Sequence, residues 1–152
     1  MNISKYRKLN IPASCIPNES HNPQTVYRAT ISENVLCIDD FLPSIIDKEL
    51  RGIRKAGPNL EKLKKSIGSS KIDCGKYSCS VYDDFNEMIT DLIKKNVLKH
   101  KNTISRGVIN NSKGIASQPS KSHHMNYYIY NYIENNPYVD FEIIKKVEDY
   151  LK

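Results

Sequence analysis

The chain has 152 residues, of which 39% are apolar and 26% are charged, and its formal net charge at pH 7 is +6. This length fits one domain, and the composition excludes a repeat array, a coiled coil, a collagen-like chain and a wholly disordered chain. No apolar run reaches the roughly 18 residues that a membrane-spanning helix needs. We therefore expect one domain with one hydrophobic core and no membrane partner.

The first residues predict an extended N-terminal arm over residues 1–23. Pro12, Pro17 and Pro23 are spread among polar residues, which argues against a helix interior or a central strand. A single α+β domain is then expected over residues 24–152. The basic N-terminus has no apolar stretch behind it, as a secretory signal would, so we expect a cytoplasmic protein.

The expected compartment also predicts the state of the cysteines. Without a secretory signal, reduced thiols are expected, and we predict that all four are free. Cys74 and Cys79 lack the spacing of a zinc ribbon, and His123 and His124 would point to opposite faces of a strand, so we predict no metal site. The four cysteines are Cys15, Cys37, Cys74 and Cys79.

The first half of the chain shows strand and helix signals in turn. Residues that favour β structure surround Arg28 and place it inside a short strand. Pro43 fits the first turn of a helix, and Gly57-Pro58 fits its end. The predicted elements are a strand at 24–30, a short helix after the turn 39–43, a second short helix at 59–67 and a strand at 76–82.

The clearest element is a helix over residues 84–98. Asp84 and Glu87 have the spacing of a capping box at its start. Apolar residues then recur at helical spacing as far as Leu98, with Leu92 in the middle of the stripe. We therefore predict that Leu92 lies in the core.

The last third of the chain predicts a series of strands. Gly107, inside the first of them, is expected at a bulge or at a close approach of two backbones. The signals are strands at 103–109, 126–133 and 138–144, turns at 110–114 (a candidate hairpin) and 134–137, and a short closing helix. Strands that follow one another without alternating helices predict an α+β fold, with a mainly antiparallel sheet packed against one long and two or three short helices.

Candidate catalytic residues lie around the late strands. His123 and His124 stand just before the strand at 126–133, where side chains reach the end of a sheet, and histidine acts as an acid or a base near neutral pH. Glu142, in the last strand, is a candidate catalytic acid. The alternative is that one histidine is solvated and the other packs beside a tyrosine.

Candidate ligand-binding residues lie on three strands. A cation such as Arg28 in the middle of a short strand is unusual, and it is a candidate for gripping a phosphate or a diphosphate. Ser80 would orient a ribose or a neighbouring catalytic group. Tyr128, Tyr130 and Tyr132 share one strand face, which would stack bases or a nicotinamide ring. The alternatives are that Arg28 is exposed, that Ser80 only packs within its strand, and that the tyrosines pack against a helix.

Four segments carry a resemblance to known proteins: VYRATISENVLCIDDFLPS at 26–44, GKYSCSVYDDFNEMITDLIKK at 75–95, GIASQPSKSHHMNYYIYNYI at 114–133 and VDFEII at 139–144. They resemble a group of small bacterial proteins with an early strand arginine, a Ser-Val-aromatic strand before a helix, and a histidine before an aromatic strand. The order of these residues is similar to that in ADP-ribosyltransferase-like folds. That resemblance implies NAD as cofactor, Arg28 on its diphosphate, Ser80 at its ribose, and His124 or Glu142 completing the site.

Three functions remain open at the level of the sequence. The first is an ADP-ribosyltransferase-like enzyme or a protein that binds NAD or another nucleotide, without a metal. The second is a small metal-independent ribonuclease toxin, with His124 as base and Lys121 or Arg28 steadying the phosphate. The third is a non-catalytic protein-binding or immunity module that meets its partner through tyrosines. Nucleic acid is less expected as a partner, because the lysines are spread along the chain.

Overall fold

A six-stranded antiparallel sheet organises the part of the chain that the structure, a computed structural model, describes: residues 11–18, 25–44, 47, 74–130 and 134–151. The order of the strands across the sheet is β4-β5-β2-β1-β3-β6. The predicted α+β class with an antiparallel sheet is confirmed. The strands are β1 Val26–Thr30, β2 Cys79–Tyr82, β3 Thr103–Gly107, β4 Gly114–Ala116, β5 His124–Ile129 and β6 Phe141–Lys146, and helix α1 is Phe85–Lys94.

Helix α1 begins where the sequence predicts and ends earlier. The Asp84 carboxylate accepts a hydrogen bond from the backbone N–H of Glu87 at 2.9 Å, which caps the first turn. The helix ends at Lys94 because Asn96 adopts a left-handed backbone conformation with a φ of 60°, which stops the helical path. A separate 3-10 helix, Leu98–His100, follows, so the prediction of one helix over 84–98 was too long.

The sheet is covered by two apolar clusters. The first contains Met88 and Leu92 of α1, together with Ala29, Tyr82 and Ile104 from three strands, so α1 packs on the middle of the sheet. The second cluster is larger and includes residues from the segments before and after β1. Its members with 0% exposure are Val26, Phe41, Leu42, Val81, Ala116 and Met125.

The central strands β1 and β2 separate after a single pair, and this separation positions the site. β1 is in register with β3 along its whole length, but with β2 it is in register at one pair, Tyr27 with Tyr82. Beyond that pair the strands diverge, and a cleft opens between them that Ala29 and Ser80 line. The cleft lies beside α1, since Leu92 also lines it.

Leu92→Ala should lower the free energy of unfolding by about 2–3 kcal/mol. This is the lower end of the range for a buried leucine, because part of its side chain faces the cleft and the site can take up water. Urea unfolding measures the loss. Ile93→Ala, at the exposed next position of the same helix, is the matched control and should change stability by less than about 0.5 kcal/mol. A similar loss for both variants would contradict this packing.

Each predicted strand is present in the structure, but its first or last residue differs from the prediction. A 3-10 helix at Cys74–Tyr77 takes the first residues of the predicted strand 76–82. Another, Pro137–Asp140, delays β6, because Asn136 turns the chain with a φ of 44°. β5 starts earlier than predicted, at His124. The candidate hairpin at 110–114 is wrong, since β4 pairs with β5 instead of β3. The predicted helix at 59–67 lies outside the described residues.

Gly107 lies at a close approach, as predicted. A Cβ atom there would overlap the ring of Phe141, the first residue of the neighbouring strand β6, and the carbonyl oxygen of Asp140 just before it. The absence of a side chain thus lets β3 and the start of β6 come together.

The prediction of four free cysteines is wrong. Cys15 and Cys74 form a disulfide, while Cys79 is buried and free and Cys37 is exposed and free. The described part of the predicted arm, residues 11–18, forms a 3-10 turn that places Cys15 in the core. The sequence could not show this, because the two cysteines are 59 positions apart.

None of the described helices has the length and apolar character needed to cross a membrane.

Candidate functional site

The cleft between β1 and β2 brings three of the predicted site residues together. Arg28, Ser80 and His124 all line it, in a cavity of about 250 Å³. They come from β1, β2 and β5, which the sequence separates widely. Lys95, the residue after the end of α1, and Lys101 also line the cleft, so its walls carry a surplus of positive charge.

Arg28 is buried, and backbone carbonyls hold its guanidinium. Its side chain crosses the gap between the strands, where Nε donates to the carbonyl oxygen of Asp40 and Nη1 to that of Ser80, each at 2.6 Å. The guanidinium carbon also lies 5.8 Å from the centre of the Phe41 ring. Within the described ranges no carboxylate forms an ion pair with this group. Arg28 is 5% exposed, so the alternative of an exposed arginine is wrong, and among the described residues carbonyl dipoles and an aromatic face contact its charge.

The Asp40 carboxylate forms no ion pair with Arg28 and instead holds the loop after β1. It accepts hydrogen bonds from the backbone N–H groups of Ile31, Ser32 and Cys37 at 2.8, 2.9 and 3.0 Å, and from the Ser32 hydroxyl at 2.6 Å. This fixes the Asp40 backbone so that its carbonyl faces Arg28. The sequence analysis missed this role, although an Asp-Asp-Phe turn after a strand is a typical place for a carboxylate that binds backbone N–H groups.

Ser80 and His124 form a hydrogen-bonded pair on adjacent strands. The Nε2 atom of His124 lies 2.9 Å from the Ser80 hydroxyl oxygen. The ring of Tyr82 packs edge-on against the imidazole, with 5.3 Å between the ring centres, and limits its rotation. Burial, aided by the charges of Lys95 and Arg28, lowers the pKa of His124 although Asp91 opposes this, so the imidazole is neutral at pH 7.

Helix α1 supports the imidazole through Tyr82. The Tyr82 hydroxyl donates to the Asp91 carboxylate at 2.5 Å, and Lys95 forms an ion pair with the same carboxylate at 2.9 Å. Burial alone would raise the pKa of Asp91, but these two partners outweigh it and lower the pKa. Burial and the bond to Asp91 raise the pKa of Tyr82 far above neutrality, so Tyr82 remains a hydrogen-bond donor.

His123 does not line the cleft. It has a left-handed backbone conformation, with a φ of 63°, and its Nδ1 atom lies 2.8 Å from the Asp83 carboxylate. Its side chain is 44% exposed, whereas His124 faces the cleft, so the two histidines point apart as the sequence predicted.

Glu142 and Tyr128 are also away from the cleft. Glu142 is exposed on the edge strand β6 and forms an ion pair with Arg106 at 2.7 Å. Tyr128 is buried, as is its neighbour Tyr127, and both belong to the larger apolar cluster. The predicted open face of stacking tyrosines is thus not formed at Tyr128, and Tyr132 lies outside the described residues.

The sequence analysis did not single out the two lysines of the cleft. Lys95 belongs to a run of lysines at the end of a helix, and that pattern is also typical of a solvated helix end. Lys101 is almost buried, and its ammonium lies 3.7 Å from the Asp47 carboxylate, which also lines the cleft. No sequence signal distinguishes these lysines from the others. Across the described residues no group of three or more His, Cys, Asp or Glu side chains could hold a metal ion.

Comparison of the chain with protein-family models, with curated proteins and with solved structures finds no match.

Proposed function

We propose that the cleft binds a nucleotide through its diphosphate, and that NAD is this ligand in an ADP-ribosyltransferase-like reaction. The observation that carries the proposal is the buried Arg28 guanidinium, which faces the cleft without a carboxylate partner among the described residues. Burying a charge without an opposite charge is costly, so a site with this arrangement gains stability when an anion enters.

The charge around Arg28 favours a ligand with more than one negative charge. Lys95 and Lys101 add two ammonium groups, while the carboxylates near them, Asp91 and Asp47, balance part of that charge. A guanidinium also offers several N–H donors in one plane, which matches the oxygens of a diphosphate better than an ammonium does.

The size of the cleft decides which part of NAD it would hold. Its volume of about 250 Å³ is below the ~300–1,000 Å³ of a typical ligand pocket. We therefore assign it the diphosphate and the adjoining ribose, with Ser80 beside the ribose, and leave the two rings at the cleft mouth.

His124 is the proposed general base. Its neutral imidazole faces the cleft, so it would accept the proton of a hydroxyl that attacks the ribose carbon bonded to nicotinamide. The bond from that carbon to nicotinamide breaks, nicotinamide leaves with the bonding electrons, and the new bond forms to the hydroxyl oxygen.

Titration calorimetry with NAD, ADP-ribose and ADP tests the proposal. We expect binding by the wild type, at least tenfold weaker binding by Arg28→Lys, and none by Arg28→Ala, because an ammonium cannot pair two phosphate oxygens at once. His124→Ala should bind with little change and lose turnover. Arg106→Ala, which removes an exposed arginine on the next strand, is the matched control and should bind as the wild type does. If the wild type binds none of the three nucleotides, the proposal fails.

A cytoplasmic location is part of this proposal. The Cys15–Cys74 disulfide is uncommon in that compartment, where thiols are kept reduced. Thiol titration of protein taken directly from cells with an alkylating quench tests the location, since four alkylated cysteines agree with it and two argue against it.

A further inference from the structure

The Ser80–His124 pair has a geometry that a ligand-binding role alone does not require. The Ser80 hydroxyl oxygen lies 2.9 Å from Nε2 of an imidazole that Tyr82 holds in place. In the tautomer that carries its proton on Nδ1, Nε2 accepts the serine proton. A serine within hydrogen-bond distance of a positioned base is the arrangement that activates a hydroxyl as a nucleophile.

Ser80 is also tied to the proposed anion site. Arg28, which would bind the diphosphate, donates a hydrogen bond to the Ser80 carbonyl oxygen, so the two residues are in direct contact. In NAD a ribose is attached directly to the diphosphate. A diphosphate at Arg28 therefore brings the ribose close to the Ser80 side chain, which lines the same cleft.

We propose that Ser80 is itself the acceptor of the ADP-ribosyl group, so that the protein modifies its own cleft. This deepens the proposed function and rests on it. The Ser80 oxygen attacks the ribose carbon that bears nicotinamide, the new carbon–oxygen bond forms and the carbon–nitrogen bond breaks. Nicotinamide leaves with the bonding electrons and loses its positive charge, while the serine proton passes to Nε2 of His124 and then to water.

The product would persist. A sugar carbon bonded to a serine oxygen is an acetal, which resists water at neutral pH. The attached ADP-ribosyl group would fill the cleft and block a second ligand, so the reaction would stop after one turnover. Ser80 is thus a modification site that closes the cleft once NAD has been used.

Intact-mass measurement after incubation with NAD tests this inference. We expect a gain of one ADP-ribosyl group on most molecules, mapped by peptide sequencing to Ser80, with release of one nicotinamide per chain. Ser80→Ala should show no gain, and His124→Ala should react at least a hundredfold more slowly. Ser112→Ala, which removes an exposed serine in the turn before β4, outside the cleft, is the matched control and should react as the wild type does.

Calorimetry on the same samples separates the two proposals. The modified wild type should no longer bind ADP-ribose, while unmodified Ser80→Ala should still bind it. If the wild type binds NAD and gains no mass, or gains it at another residue, the modification of Ser80 is wrong and the binding function stands. If the wild type binds no nucleotide at all, the binding function itself is wrong.

Discussion

Arg28→Ala should lower the free energy of unfolding by about 2–4 kcal/mol in the absence of any ligand. The substitution leaves the carbonyl oxygens of Asp40 and Ser80 without their donors. Each buried acceptor without a partner costs ~1–3 kcal/mol, and the Ser80 carbonyl recovers part of this from water in the cleft. Urea unfolding, with the slope compared between variants, measures the loss.

Two variants make this expectation specific. Arg28→Lys keeps the charge but presents one ammonium instead of two separate donors. Its free energy of unfolding should therefore lie between those of the wild type and Arg28→Ala. Arg106→Ala breaks an exposed ion pair with Glu142 on the neighbouring strand, and exposed pairs contribute ~0–1 kcal/mol. Equal losses for Arg28→Ala and Arg106→Ala would show that the two carbonyl contacts contribute little.

This structural role affects how ligand binding is measured. Arg28 both closes the gap between β1 and β2 and faces the ligand, so a loss of binding in Arg28→Ala has two possible causes. Lys95→Ala separates them, because Lys95 lines the cleft just after the end of α1 and pairs with the Asp91 carboxylate of that helix. Weaker nucleotide binding by Lys95→Ala, with little loss of stability, would assign the effect to the charge of the cleft.

Local patterns in the sequence were sufficient to predict most of the individual helices and strands. The capping residue Asp84 and the apolar stripe through Leu92 depend on neighbours a few positions away, and both are present in α1. The strand around Arg28 was also predicted, as was the close approach at Gly107. These features are decided by backbone geometry and side-chain spacing, which a single sequence displays directly.

Long-range pairing decided the rest of the site. Arg28 and His124 share one cleft as predicted, but the sequence does not show that β1 and β2 separate to form it. Glu142 is away from the cleft because two strand positions separate β6 from β1 in the sheet order. Tyr128 is buried in the larger apolar cluster, whose other members come from distant segments that no local signal specified. Each of these outcomes depends on which distant segments become neighbours.

Replacing Cys15 and Cys74 together by serine should lower the free energy of unfolding by about 4 kcal/mol. The disulfide closes a loop between positions 59 apart, and for loops of 15 to 100 residues the loss of chain entropy in the unfolded state corresponds to ~3–5 kcal/mol. Urea unfolding of the oxidised wild type and the double variant measures the difference.

Reduction provides an independent test of the same bond. A reducing agent should lower the stability of the wild type to about that of the double variant and leave the double variant unchanged, because Cys37 and Cys79 are not paired. Cys37→Ser, which alters an exposed free thiol, is the matched control and should stay within about 0.5 kcal/mol of the wild type. The disulfide links the 3-10 turn at Ala13–Cys15 to the 3-10 helix at Cys74–Tyr77. This helix directly precedes β2, on which Ser80 lies. If reduction changed neither stability nor nucleotide binding, the disulfide would contribute neither to the stability of the fold nor to the binding site in the cleft.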